Sequence, residues 1–130
     1  IVLAGHCDDM PAAYLAADVA LAPSLEPEAF GRTAVEPQAM ARPVIASRLG
    51  APAETVVAGE TGWLIQPGDA KSLAAAMAAA MDAGPARRAA MGQAAKERAR
   101  RLYSVEAMCE ATLAAYARVL EFSAGGQKAA

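Results

Sequence analysis

The sequence predicts an α/β fold: an incomplete, Rossmann-like three-layer domain with a short parallel sheet and a helical C-terminal part. Three observations predict it. Short apolar runs at residues 2–4, 19–21, 43–46 and 63–65 lack polar alternation, which fits strands buried on both faces, as in a parallel sheet. Segments with helical patterning separate those runs, which argues for right-handed crossover connections. From residue 69 onward the chain is alanine-rich and helical throughout, as alanine's propensity favours. Only about four strands are visible where a doubly wound domain has about five or six, so the first strands are expected to be missing.

In chain order, residues 2–4 read as a strand ending at Gly5-His6. A chain that opens inside a buried strand, with no initiator Met and no polar lead-in, reads as a piece of something longer. Asp8 and Asp9 can cap a helix whose first turn accepts Pro11. That helix runs to about Ala17 with Tyr14 and Leu15 facing inward, and Asp18 leads into the strand 19–21. Residues 23–27 must be loop, because Pro23 and Pro27 fix φ and remove donors. A helix from about Gly31 to Ala41 follows, with Val35 and Met40 on its buried side. Pro37 falls about one turn from the start, where early amides have no intrahelical partner.

Residues 43–46 form the next buried strand, 47–50 a loop and 52–57 a short helix. Gly59-Glu60-Thr61-Gly62 reads as a tight turn before the strand 63–65, which Pro67-Gly68-Asp69 closes. Asp69 caps a helix to about Ala83; Gly84-Pro85 breaks it and starts another to about Arg101. The basic stretch 96–101 reads as a solvated face. Ser104 caps a final helix from Val105 to about Phe122, with Val105, Met108, Leu113, Tyr116 and Leu120 at near-helical spacing. Residues 123–130 read as a frayed tail.

Composition narrows the function. The 130 residues suffice for one domain with a modest core. The 55% hydrophobic content is largely alanine and aromatics are 5%, so the core should be thin and aliphatic. A net charge of -2 leaves no basic footprint for nucleic acid or an anionic membrane surface. Cys7 and Cys109 form no CxxC pair and read as free thiols of a reducing compartment. The N-terminus lacks a signal-peptide pattern, and no apolar run approaches the roughly 20 residues that span a bilayer. These features predict a cytoplasmic protein, one still able to act on a substrate held at a membrane.

The chemistry concentrates in Glu26-Pro27-Glu28-Ala29-Phe30-Gly31-Arg32-Thr33-Ala34-Val35-Glu36. In an open parallel sheet, ligands bind beyond the carboxyl ends of the strands. Residues 5–9, 23–31 and 47–54 lie at such ends and should line one crevice. The helix beginning near Gly31 offers free amides and a positive dipole end to a phosphate. Glu28 precedes that helix and Glu36 lies about two turns on. A carboxylate beside a sugar accepts two hydroxyl hydrogen bonds. Two carboxylates flanking a phosphate-binding helix start suggest a ligand with hydroxyls at both ends and phosphates between, the layout of a nucleotide sugar. A surface-loop acid and a helix-face acid would give the same pattern, and Glu26 reads as a solvated loop residue. No second His or Cys stands at metal-ligand spacing from His6, the one histidine.

Glu28-Ala29-Phe30-Gly31, followed by four residues and Glu36, resembles the acidic motif of the group 1 family of retaining glycosyltransferases with the GT-B fold. Its surroundings are similar too: Ala17-Asp18-Val19-Ala20-Leu21-Ala22-Pro23-Ser24 before it, and Glu36-Pro37-Gln38-Ala39-Met40-Ala41-Arg42-Pro43-Val44-Ile45-Ala46 after it. Gly50-Ala51-Pro52-Ala53-Glu54 and Gly62-Trp63-Leu64-Ile65 with Pro67-Gly68-Asp69 resemble later landmarks, so the likeness runs from about Ile1 to Phe122.

The resemblance implies that residues 1–122 are a partial nucleotide-sugar-binding domain, the C-terminal domain of a GT-B enzyme without its N-terminal strands, and that 123–130 are a flexible tail. It implies transfer of a sugar from a nucleoside-diphosphate sugar to an acceptor hydroxyl, with retention and without a metal or other cofactor. Glu28 is its catalytic residue, contacting hydroxyls of the transferred sugar with help from the backbone of Ala29, Phe30 and Gly31. The amides of Thr33 and Ala34 touch the diphosphate, and Glu36 binds the ribose hydroxyls. Gly5, His6, Cys7, Asp8 and Asp9 lie beside the base.

The family's acceptor domain and phosphate-binding Arg and Lys have no counterpart here; Arg32, Arg42 and Arg48 do not match that context. The isolated chain is therefore expected to be inactive, and the acceptor, bound mainly outside it, is not specified. The small side chains of Thr33 and Ala34 leave donor selectivity open. The parent is expected in the cytoplasm, with a peripheral place at the inner membrane face as one option. A second reading, a non-catalytic α/β nucleotide-binding or interaction module, also fits the crevice. A receiver-like reading fits only through Asp8-Asp9, because strand 19–21 leads to Pro23-Ser24 and not to a phosphoacceptor Asp. An apolar stripe of Met108, Leu113, Tyr116 and Leu120 and an open edge at the first strand predict self-association into homo-oligomers.

Overall fold

The computed structural model describes the backbone of residues 1–126 and the side chains of residues 1–122. The chain divides into two units, Ile1–Ala99 and Arg100–Ala130.

In the first unit the elements are α1 (Met10–Ala16), β1 (Ala20–Ala22), α2 (Arg32–Ala39), β2 (Val44–Ser47), α3 (Pro52–Thr55), β3 (Gly62–Ile65), α4 (Ala70–Asp82) and the larger part of α5 (Gly84–Tyr103). The three strands are parallel in the order β1-β2-β3, with Ala20 opposite Val44, and Val44 in turn opposite Gly62. Alternation along the strands sorts their side chains onto two faces. On one face Ala20, Ala22, Val44 and Ala46 pack with Ala34 of α2 and with Val56. On the other, Ile45 and Ile65 pack with Ala76 and Ala80 of α4, flanked by Val19, Trp63 and Leu73. All four residues of β2 are buried, the apolar Val44, Ile45 and Ala46 together with Ser47. The expected three-layer α/β arrangement is the one present.

The fourth expected strand is absent. Residues 2–4 form no ladder, and Ile1, Val2 and Leu3 are fully exposed. An apolar run becomes a strand only when a neighbour takes its backbone groups, and no described strand stands beside it. β1, flanked only by β2, is therefore one open edge of the sheet.

Smaller departures have local causes. Leu15 points outward, while Tyr14 is half-buried. Pro37 is the sixth residue of α2; it lies past the first turn and forfeits a helical bond to the Thr33 carbonyl. Full burial of the Pro37 ring offsets that loss. Gly62 opens β3 because a Cβ there would lie 2.0 Å from the Val44 carbonyl oxygen. The basic part of α5 is not wholly solvated: the Arg98 guanidinium donates to the Glu54 carbonyl at 3.1 Å. Arg42 does the same to the Leu15 carbonyl at 2.7 Å.

In the second unit, the Ser104 hydroxyl accepts from the Ala107 amide at 3.1 Å and starts α6 (Val105–Gly126). Met108, Leu113, Tyr116 and Leu120 are 60–69% exposed, the stripe expected from their spacing. α6 runs past Phe122 through Ser123 and Ala124 to Gly125 and Gly126, where glycine's poor helix propensity suits an end. The rest of the expected tail, residues 127–130, lies outside the described residues.

Candidate functional site

The site forms where β1 ends and α2 begins. Pro23 stops β1 and Pro27 stiffens the loop that follows. Gly31 then turns the chain into α2 with φ 72° and ψ 53°, a left-handed conformation suited to glycine. A Cβ at this position would lie 3.0 Å from Cδ of Pro52, so the turn also needs the missing side chain for room. No side chain caps α2. The amides of Ala34 and Val35 donate back to the Gly31 carbonyl at 2.9 and 3.0 Å. Those of Arg32 and Thr33 have no partner among the described residues, which leaves them open to an anion.

Glu28 is fixed at both its backbone and its side chain. Its carbonyl accepts from the Ala51 amide at 3.0 Å, within a parallel bridge to Gly50. Gly50 has φ 61°, and a Cβ on it would come within 2.8 Å of the Glu28 nitrogen and oxygen. The Ser24 hydroxyl donates to Glu28 Oε1. The Thr33 hydroxyl donates to Oε2 at 3.3 Å. The half-buried carboxylate thus faces the open start of α2.

Glu36 lies further along the same helix with its side chain 34% exposed. Arg32 places Nε at 2.7 Å and Nη2 at 2.6 Å from Oε1, an i,i+4 ion pair. The Tyr14 hydroxyl, from α1, donates to Oε2 at 3.3 Å. Burial, and then the Glu36 charge and hydrogen bond, raise the Tyr14 pKa above its ordinary value, against a lowering by Arg32. The phenol therefore keeps its proton at neutral pH and acts as a hydrogen-bond donor to Glu36.

Residues 5–9 lead into α1. Gly5 takes a left-handed φ of 75°. His6 Nε2 lies 2.9 Å from Asp8 Oδ1, the Cys7 thiol faces the Asp9 carbonyl at 3.4 Å, and Asp9 Oδ1 caps α1 by accepting from the Ala12 amide at 3.0 Å. All five are exposed. No hydrogen bond or ion pair joins them to Glu28 or Glu36 among the described residues. Phe30 is half-exposed and Ala29 exposed, beside Glu28 in sequence. No group of three His, Cys, Asp or Glu that could hold a metal ion gathers among the described residues. No described helix is long and apolar enough to cross a membrane.

Sequence reasoning placed Ser24 and Gly50 in the segments lining the crevice without giving either a role, and did not find Tyr14 or the Thr33 side chain as parts of this site. Ser24 and Thr33 carried a weak signal, being hydroxyl residues four before and five after Glu28. Tyr14 carried none, because its partner stands 22 residues away.

The family described as glycosyl transferases group 1 matches residues 1–98. A D-inositol 3-phosphate glycosyltransferase of Catenulispora acidiphila is 41% identical over 108 residues, 83% of this chain and 25% of that protein. A glycosyltransferase from Rickettsia africae superposes with a TM-score of 0.82 at 32% identity, over 89% of this chain and 31% of that one. HepE of Anabaena, in complex with UDP-glucose, gives 0.79 at 26% identity, over 88% and 31%. The chain thus spans about a quarter to a third of each of these proteins.

Proposed function

The chain belongs to the glycosyl transferases group 1 family, and from that premise we propose that it is the donor-binding part of an enzyme that moves a sugar from a nucleoside-diphosphate sugar to an acceptor hydroxyl. The observation that carries this reading is the pair of carboxylates held on either side of an uncapped helix start, Glu28 before it and Glu36 within it. The diphosphate lies on the open amides of Arg32 and Thr33; the Ala34 amide, expected to share it, donates to the Gly31 carbonyl at 2.9 Å instead. Glu36 accepts the ribose hydroxyls. Glu28, the catalytic carboxylate, accepts hydroxyls of the transferred sugar beside the backbone of Ala29, Phe30 and Gly31. Residues Gly5, His6, Cys7 and Asp9 border the base. The complex of HepE with UDP-glucose supports a donor of this class.

Transfer proceeds with retention and without a metal. The charge that develops on the leaving diphosphate is met by preorganised amides and by cations outside this chain. Arg32 and Arg42 are engaged elsewhere, on Glu36 and on the Leu15 carbonyl. The acceptor is bound mainly outside the chain. Two exposed free thiols, Cys7 and Cys109, support a reducing, cytoplasmic setting, with a peripheral place at the inner membrane face for the parent protein.

Calorimetric titration with UDP-, GDP- and ADP-sugars tests the reading. The protein expressed from its complete reading frame should bind one of the three and transfer its sugar. The isolated 130-residue chain should bind it weakly and turn over none. Turnover by the isolated chain would contradict its assignment as the donor-binding part alone, and a complete protein binding none of the three would contradict the donor role.

A further inference from the structure

We infer that Tyr14 is a positioning residue for Glu36, fixing the orientation in which that carboxylate receives the two hydroxyls of a ribose. The inference rests on the ribose role proposed above for Glu36 and goes beyond it in naming what aims the carboxylate. Glu36 is half-buried on α2, where a glutamate with no fixed partner still samples several rotamers. Here each oxygen has its own partner. Arg32 holds Oε1 through Nε and Nη2, and the Tyr14 hydroxyl holds Oε2 at 3.3 Å. A carboxylate oxygen accepts about two hydrogen bonds, so Oε2, held by Tyr14 alone, keeps room for one ligand hydroxyl, whereas on Oε1 a ligand hydroxyl must displace one of the two Arg32 contacts.

The two partners differ in kind. Arg32 comes from the same helix one turn away and is itself largely exposed, so it moves with Glu36 and cannot orient it against the rest of the fold. Tyr14 comes from α1, is half-buried, and is anchored by packing of α1 against α2. It is the contact that refers the Glu36 carboxylate to a second element. The phenol remains a donor at neutral pH, and unliganded hydrogen bonds of this kind tighten once a ligand is bound.

The same α1 begins at the cap made by Asp9, directly after the segment assigned to the base side. A nucleoside bridging the two places would thus meet a base-side loop and a ribose carboxylate connected through one helix.

The test uses the protein expressed from its complete reading frame, titrated with UDP, GDP and ADP and with their 2′,3′-dideoxy counterparts. Tyr14→Phe keeps the ring and removes the donor. It should weaken the preferred ribonucleoside diphosphate about tenfold, the effect of one hydrogen bond to a charged group, and leave the dideoxy form unchanged. Equal losses for both forms would show a merely structural role and overturn the inference, as would no loss for either. Glu36→Gln separates this from the underlying reading: if it leaves all affinities intact, the ribose role itself fails. In the Tyr14→Phe, Glu36→Gln double variant the tyrosine change should add nothing further. An additional tenfold loss there would mean that Tyr14 acts by another route.

Discussion

Replacing Gly50 by alanine is a direct probe of how Glu28 is held. Gly50 lies at φ 61°, where a side chain costs about 1–2 kcal/mol. A Cβ there would also meet the Glu28 nitrogen and oxygen at 2.8 Å and Pro27 Cα at 3.1 Å. All three are backbone atoms, so the Glu28 segment must move. Moving it strains the Ala51–Glu28 hydrogen bond, worth about 1 kcal/mol. The sum is about 2–3 kcal/mol, a fall in melting temperature of about 8–12 °C for a chain of this size. Gly59→Ala is the internal reference: φ there is 80°, but nothing lies within 4 Å of the added Cβ, so only the conformational cost applies. Thermal unfolding followed by circular dichroism should separate the two variants by about 1 kcal/mol or more. If Gly50→Ala loses no more than Gly59→Ala, the Glu28 backbone is not packed against Gly50 and the account of its placement is wrong.

Three other outcomes follow from the geometry. Gly62→Ala puts a Cβ 2.0 Å from the Val44 carbonyl oxygen, inside the β2–β3 ladder; the loss should exceed about 4 kcal/mol, and a urea midpoint close to wild type would contradict it. The raised Tyr14 pKa means that the folded state holds the phenolic proton more tightly than the unfolded one, whose value is near 10. The resulting stability is complete below that pH and is lost as pH rises through the higher folded value; a Tm series from pH 8 upward should show wild type declining faster than Tyr14→Phe, and parallel curves would refute the link. Finally, the exposed α6 stripe and the open β1 edge predict that the isolated chain self-associates, so light scattering at high concentration should report more than a monomer mass, and a clean monomer would contradict this.

Much of the fold was legible because its signals are local. The run from Pro43 to Ala46 has no polar member, and Val44 to Ala46 lie in the buried central strand of the three-stranded sheet. Asp9, Asp69 and Ser104 were readable as helix starts because a cap is a short-range bond, and each makes the expected one. Residues 1–4 failed for the opposite reason: whether an apolar run is a strand depends on a partner that the run does not encode. The site divides in the same way. Gly31 and the open helix start were visible in the motif itself. The Tyr14 contact to Glu36 and the seat of Glu28 against Gly50 depend on how separate elements pack, and neither spacing nor composition points to them.

The central claim is that Glu28 and Glu36 grip opposite ends of one donor. Its most direct test compares UDP with UDP-glucose, and the matching GDP and ADP pairs, on Glu28→Ala and Glu36→Ala in the protein expressed from its complete reading frame. Glu36→Ala should weaken the nucleoside diphosphate and its sugar conjugate alike. Glu28→Ala should weaken only the conjugate, erasing whatever affinity the sugar adds. Two variants that lose the same affinity for both ligands, or a Glu28→Ala that binds the conjugate as wild type does, would contradict the assignment of the two carboxylates to separate ends.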